Sequence, residues 1–321
     1  MEIVFGPVPS RRLGRSLGVN NIPPKHCSYS CIYCQLGRTQ WLEARRRSFY
    51  EWTTIVEAVK NKTTKIGLDN IDYITFVPDG EPTIDINLGK EIQRIKEELG
   101  AKVAVITNGS LLWMEDVRED LLNADWVSVK IDAVSQNVYK KIDRPHPSLE
   151  LNRVLYGIQE FAKIYSGTLV TETMLVEGVN DFADEISLIA EFIGNIDPAK
   201  AYIAVPTRPP AEPWVTPPSE KNILVAYNTF TDYIGDKVEL LIGFEGGEFI
   251  IDVDKPVESI LGIISVHPIR IDVLEKLLEE KGLDPKVIIE GLKATGHAVI
   301  VRYRGKEFLI RRLTRQETFM S

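Results

Sequence analysis

Lys25-His26-Cys27-Ser28-Tyr29-Ser30-Cys31-Ile32-Tyr33-Cys34 holds all three cysteines of the 321-residue chain, spaced Cys-x-x-x-Cys-x-x-Cys. Thiolates bunched this closely are far more often metal ligands than packing residues. Three is one ligand short of a closed Cys₄ site, structural zinc or ordinary [4Fe–4S] alike, so a cluster held this way keeps one iron open. The other readings are three unrelated buried thiols and a closed zinc site with His26 as fourth ligand. His26 adjoins Cys27 in sequence, a poor offset for chelation beside it. A disulfide framework fails because the count is odd and the chain is long.

The rest of the chain bounds the setting. A chain of 321 residues suits one large domain and a small one. No apolar run approaches the ~20 residues of a membrane span, so no membrane role is expected. The start, Met1-Glu2-Ile3-Val4-Phe5-Gly6-Pro7, lacks the basic and apolar segments of a secretory signal. Free thiols without such a signal lead us to expect a reducing cytoplasm. A formal charge of −8 argues against a surface that coats nucleic acid generally, and leaves local patches open.

Outward from the cysteines, strand-like and helix-like segments alternate. The pattern predicts strands at Ile3–Phe5, Leu17–Ile22, Asp72–Val77, Lys102–Ile106, Trp126–Ile131, Thr168–Leu175 and Tyr202–Val205. Helices are expected over Glu51–Lys60, Leu88–Leu99 (ended by Gly100), Glu115–Asn123, Leu149–Tyr165, Phe182–Gly194 and Glu220–Ile234. Apolar strands alternating with amphipathic helices indicate parallel βα units, about six counted from Leu17, which suits an open, partial barrel. The composition then changes. Phe244-Glu245-Gly246-Gly247-Glu248 reads as a turn or linker, and helices at Asp272–Lys281 and from Asp284-Pro285 to about Ala294 follow. His297–Tyr303 and Glu307–Arg312 alternate as a hairpin across Arg304-Gly305-Lys306. We therefore expect an α/β chain with a barrel over 1–243, a linker over 244–265 and a small winged-helix-like α+β domain over 266–321. Its wing carries Arg302, Arg304, Lys306, Arg311, Arg312 and Arg315.

The cysteine spacing, with aromatic Tyr33 just before the last cysteine, resembles the radical S-adenosylmethionine (SAM) superfamily. The resemblance covers roughly residues 15–235. Cys-Ile-Tyr-Cys-Gln-Leu-Gly-Arg-Thr and the lead Val-Pro-Ser-Arg-Arg-Leu-Gly-Arg-Ser further resemble a subgroup of Fe–S oxidoreductases near the tRNA-wyosine synthase branch. It implies a partial (β/α)₆ barrel in which Cys27, Cys31 and Cys34 hold a [4Fe–4S] cluster. The open iron would bind the amine and carboxylate of SAM, and one electron from a ferredoxin- or flavodoxin-type donor would cleave it to a 5′-deoxyadenosyl radical. An oxygen-labile cluster also implies an anaerobic setting.

Ligands of parallel βα barrels sit where strands end and loops begin, so the residues after each strand are the candidate SAM contacts. Gly80-Glu81-Pro82 resembles the superfamily's amine-binding motif, with Asp79 where a first glycine is usual; the ammonium wants a carboxylate and a close backbone. Thr107-Asn108 follows the next strand and could contact the ligand or only make the turn. Lys130 and Asp132 are charges embedded in apolar sequence, either at the barrel mouth near a ribose or substrate or as a structural ion pair. Thr171-Glu172-Thr173 lies where the family often contacts ribose and carboxylate, and Ala204-Val205-Pro206 resembles the backbone that borders adenine. Arg11, Arg12 and Arg15, with Arg45, Arg46 and Arg47, could meet an anionic substrate or form a solvated rim. Arg144-Pro145-His146-Pro147 is a rigid loop, facing either substrate or solvent.

For the substrate, a basic wing suits RNA phosphates, and the named relatives of the subgroup act on tRNA. A peptide or protein docked through the C-terminal domain is the alternative. A different class altogether is a zinc-containing winged-helix protein that binds nucleic acid.

Overall fold

The computed structural model describes residues 3–242, 249, 251–265 and 267–311. A hairpin of β1 (Val4–Ser10) and β2 (Gly14–Val19) leads into a short parallel pair, β3 (His26–Cys27) and β4 (Trp41–Leu42). Then follow α1 (Trp52–Ile66), β5 (Tyr73–Phe76), α2 (Leu88–Leu99), β6 (Val103–Thr107), α3 (Glu115–Leu121), β7 (Trp126–Lys130), α4 (Gln136–Ile142) and α5 (Leu151–Ile164). The alternation ends with β8 (Thr168–Met174), α6 (Ala183–Ile196), β9 (Lys200–Ala204), α7 (Glu220–Ile234) and β10 (Val238–Leu241).

These strands make one eight-stranded sheet in the order β1-β2-β5-β6-β7-β8-β9-β10. All neighbours are parallel except β1, which returns antiparallel on β2. The chain is thus a partial barrel: six strand-plus-helix units run from β2 to α7, and β10 adds a further parallel strand. Successive side chains of a strand face opposite sides. The odd-numbered Val103, Val105, Val127, Val129, Leu169, Ala201 and Ile203 pack under the helices in the main core. The even-numbered Ala104, Trp126, Val170, Tyr202 and Ala204 gather inside with Leu13 of the hairpin and Leu241 of β10. The cluster runs continuously along that face from β6 to β10.

Among the elements that escape the sequence pattern are α4 and β10. The seven residues of α4 carry two lysines in the last turn, so their apolar face is only Val138, Tyr139 and Ile142. The β10 strand has four residues, too few to show alternation. Where we expected a linker over 244–265, Pro256–Ile264 form α8. Its Ile260, Ile263 and Ile264 are buried in a second core with Leu274, Leu278 and Leu292, against which Val8 of β1 also packs. The expected turn 244–248 lies outside the described residues, as do Arg312 and Arg315.

After α8 come β11 (Ile269–Arg270), α9 (Ile271–Glu280), α10 (Pro285–Ala294), β12 (Ala298–Tyr303) and β13 (Lys306–Arg311), with an antiparallel sheet ordered β11-β13-β12. Asp284 caps α10, accepting from the backbone N–H groups of Lys286 (2.9 Å) and Val287 (3.2 Å). No helix among the described residues is long and apolar enough to cross a membrane.

Candidate functional site

The cysteine loop lies against the mouth of the barrel and is pinned from two sides. Ser30 and Ile32 donate backbone hydrogen bonds to Asp143 (3.0 Å) and Ile142 (2.9 Å) at the end of α4. On the other side, Glu81 N–H donates to the His26 carbonyl at 3.0 Å. Gly80 makes this approach possible: a Cβ there would stand 1.8 Å from the His26 carbonyl oxygen. Backbone proximity, rather than the freedom of a turn, demands the glycine.

His26 does not join the thiols. Its ring stacks on Trp41 (5.7 Å, 16°) and meets Phe49 edge-on, its Nδ1 lies 3.2 Å from the Pro24 carbonyl, and its Nε2 faces Glu43 at 3.8 Å. As neighbours in one strand, His26 and Cys27 also point to opposite faces. The closed zinc site with His26 is therefore not built.

The three cysteines are half-buried and free of disulfides. Asn108 Nδ2 reaches the Cys27 sulfur at 3.7 Å, and the Cys31 thiol donates to Asp143 Oδ1 at 3.6 Å. Burial pushes all three thiols above their ordinary range; Glu81 adds to this at Cys27, and Asp143 at Cys31. Among the described residues no three His, Cys, Asp or Glu side chains stand gathered as a metal cage, but the thiols are close enough to raise one another. A cationic cluster relieves that mutual penalty by taking the place of the thiol protons. Three soft sulfurs in one loop, with no imidazole or carboxylate completing a closed set, fit an iron–sulfur cluster with an open iron.

Glu81, expected to meet a SAM ammonium, is spent within the scaffold. Its Oε1 accepts from Thr83 N–H (3.1 Å), Thr83 Oγ1 (2.6 Å) and Thr107 Oγ1 (2.6 Å), and its Oε2 accepts from Asn108 N–H (2.7 Å). Three of these four fall on Oε1 and one on Oε2, so most of the carboxylate's acceptor capacity is used inside the protein. Burial raises its pKa, and the hydrogen bonds pull it part of the way back. Glu81 thus locks Thr107 and Asn108 to the loop after β5, and Pro82 opens the 3₁₀ turn that Glu81 caps. Asp79, in the place of a first glycine, pairs with Lys25 at 3.1 Å just ahead of the cysteine motif.

The inner wall carries the charges. Parallel register sets Lys130 beside Glu172, and their side chains meet at 2.9 Å. Lys130 also lies 3.9 Å from Asp132 and 4.7 Å above the ring of Tyr33. Tyr33 donates its hydroxyl to Asp132, whose other oxygen accepts from Met174 N–H at 2.6 Å. Burial works against every charge here, with different outcomes. It raises Asp132 above its ordinary value, whereas Lys130 and Arg12 overcome it at Glu172 and hold that carboxyl at about 2. Burial alone would lower Lys130, but the Asp132 and Glu172 carboxylates outweigh it and raise the ammonium above its ordinary range.

Arg12 is the residue whose place the sequence did not show. It is not part of a solvated rim: from the β1–β2 turn it enters the barrel, pairs with Glu172 and lies over Trp126 and Tyr202. Arg15 stays outside on Asp72 (2.9 Å), and Arg144 pairs with Glu212.

Between this wall and the cysteine loop lies a cavity of about 350 Å³, within the range of small-molecule sites. Tyr33, Cys34, Lys130, Glu172, Ala204 and Val205 line it, as do Arg12 and Met174 and, unforeseen in the sequence, Arg208 and His267. Thr171 and Thr173 share the outward face with Leu169, and Thr173 donates to the Ile131 carbonyl at 2.7 Å; both point to the helix layer, not to the cavity. The Pro206 carbonyl accepts from Tyr303 of β12 at 3.1 Å. Arg208 bridges Gln35 (2.9 Å), next to Cys34, and His267 (2.8 Å), which follows α8.

Comparison with known proteins agrees with this geometry. The family profile described as the Radical SAM superfamily matches residues 21–193. The chain is 42% identical to a UPF0026 protein of Methanocaldococcus jannaschii, across 100% of this chain and 99% of that one. It is 30% identical, over 35% of this chain and 40% of the relative, to an S-adenosylmethionine-dependent nucleotide dehydratase of Flammeovirga pacifica. Among solved structures, a radical SAM methyltransferase from Sphaerobacter thermophilus shares the fold at TM-score 0.50 and 15% identity, covering 71% of this chain and 66% of that one.

Proposed function

The chain belongs to the radical SAM superfamily, a family of enzymes whose cluster motif Cys27, Cys31 and Cys34 fit, and on that premise we propose that it cleaves SAM to modify an RNA substrate, tRNA first. The carrying observation is the cavity of about 350 Å³ that has Cys34 and Tyr33 on one side and Lys130 and Glu172 on the other. When bound, the [4Fe–4S] cluster and SAM supply the electron transfer and the hydrogen-abstracting 5′-deoxyadenosyl radical.

The protein's own part is holding, orienting and excluding water. Cys27, Cys31 and Cys34 would hold the cluster. Glu81 keeps Asn108 within reach of the Cys27 sulfur, which fixes the mouth of the cavity to the cluster loop. Lys130 is a buried ammonium at the wall, suited to a carboxylate or a hydroxyl-rich ribose, and Tyr33 and Asp132 fix its position. Ala204 and Val205 offer an apolar surface for a flat ring. A ferredoxin- or flavodoxin-type donor would deliver the electron.

For RNA, the nucleotide-directed name of the Flammeovirga relative supports a nucleotide-type substrate. The C-terminal helices and hairpin, with a winged-helix-like order, would dock it through Arg302, Arg304 and Lys306. Anaerobically reconstituted protein with reductant and SAM should form 5′-deoxyadenosine, and Cys31→Ala should lose iron and abolish the product. A wild type with intact cluster that leaves SAM unchanged overturns the chemistry. Comparing tRNA nucleosides from wild-type and deletion strains identifies the substrate, and identical profiles overturn the RNA reading.

A further inference from the structure

A second depression, a groove of about 480 Å³, opens beside the cluster loop and apart from the central cavity. Its lining comes from three segments at the barrel mouth: Glu43 to Arg46 after the cysteines, Trp113 and Met114 after β6, and His146, Ser148 and Arg153 after β7. His146 N–H donates to the Ser28 carbonyl at 2.8 Å, so one wall of the groove is tied to the residue that follows Cys27.

We propose that this groove binds a single-stranded stretch of RNA through its phosphates and one stacked base; the proposal rests on the RNA reading above and gives it a location. The lining holds three arginines against one glutamate in a chain of net charge −8. The arginines have different tasks. Arg46, its side chain only 6% exposed, donates to the Thr83 carbonyl (3.0 Å) and the Asp85 carbonyl (2.9 Å) and pairs with Asp116 and Asp120. It builds the floor. Arg45 and Arg153 are exposed and form no ion pair among the described residues. Glu43, the one carboxylate, faces His26 (3.8 Å) and Arg47 (3.4 Å).

The aromatic part points to nucleic acid rather than to a free anion. The Arg153 guanidinium lies 3.5 Å from the centroid of the Trp113 ring. The stack presents a flat cationic plane of the kind on which unpaired bases stack, while the charge meets a phosphate. The Ser148 backbone N–H (3.2 Å) and hydroxyl (2.8 Å) both meet His146 Nδ1, which holds the imidazole in place on the groove wall as a further polar group.

The test is anisotropy of a labelled single-stranded RNA dodecamer on the full-length, cluster-loaded protein, read at several salt concentrations. Arg45→Ala/Arg153→Ala should weaken binding by about tenfold or more and reduce the slope of log K against log salt by roughly 1.4, about 0.7 for each phosphate no longer neutralised. Arg153→Lys should keep the slope yet bind several-fold more weakly, because charge remains and the stacked plane is gone. Iron content and melting temperature report that the variants are folded. If the wild type binds RNA no better than an acidic peptide of equal length, the RNA reading falls and the groove proposal with it. If the wild type binds RNA but the double variant keeps its affinity and slope, the groove is overturned while the RNA reading stands.

Discussion

Glu81, buried in the loop after β5, and Glu172, half-buried on β8, are both carboxylates that looked like ligand contacts. They are held in opposite ways. Glu81 is held by four neutral donors of its own and the next loop, from Thr83, Thr107 and Asn108. Glu172 is balanced by two cations, Lys130 beside it and Arg12 from the hairpin. The first arrangement makes a scaffold, since hydrogen-bonded neutral donors gain nothing by moving. The second makes a charged wall whose ammonium also touches Tyr33 and Asp132 and borders the cavity. Position in the barrel does not tell the two apart; the partners do.

The comparison can be broken by experiment. Glu81→Ala leaves four donors buried without an acceptor, and at about 1–3 kcal/mol each, several kcal/mol of stability should go. Iron retention should fall with it, because Asn108 loses its anchor; an unchanged melting temperature and iron content would show that Glu81 is no scaffold. Glu172 should act through pH. Its folded pKa lies below the unfolded value, so its stabilisation is present above about pH 4.5 and is lost as pH falls towards about 2. Urea midpoints measured down to pH 3 should decline less steeply in Glu172→Gln, which at neutral pH should be less stable by about 3 kcal/mol. Parallel curves for the two proteins would remove the ion-pair account. The smallest effect is expected at a third carboxyl. Glu91 of α2 lies fully buried near Asp85 and Asp120, and burial raises its carboxyl well above the ordinary value, which favours the uncharged form. Glu91→Gln should therefore move the neutral-pH midpoint by less than about 1 kcal/mol, and a large loss would mean that the group carries charge after all.

Much of the frame is legible because it rests on local pattern. Leu88–Leu99 and Glu220–Ile234 start and stop where amphipathic spacing and caps put them. The strands from β5 to β9 fall within a few residues of their apolar runs. α8 was missed although Val257, Ile260, Leu261 and Ile264 follow helical spacing behind a Pro at its first turn. At the site, alternation along β8 was the signal not used: a strand that aims Glu172 inward must aim Thr171 and Thr173 outward. Arg12 gave no such signal. Its partner Glu172 is 160 positions away, and only the antiparallel return of β1 on β2, closing one end of the curled sheet, brings them together.

By itself the sequence determined the chemistry that depends on adjacency: three thiols within eight residues, a glycine ahead of Glu81, and helices and strands whose periods commit them to parallel βα units. These follow from local spacing, which the chain carries wherever it folds. Only the tertiary structure decided which charges cooperate. Lys130 meets Glu172 through strand register, Arg12 meets the same carboxylate from a hairpin, and Arg153 of α5 meets Trp113 of the loop after β6. Electrostatic partnership depends on distance and burial, and both are set by packing between residues that are remote in sequence.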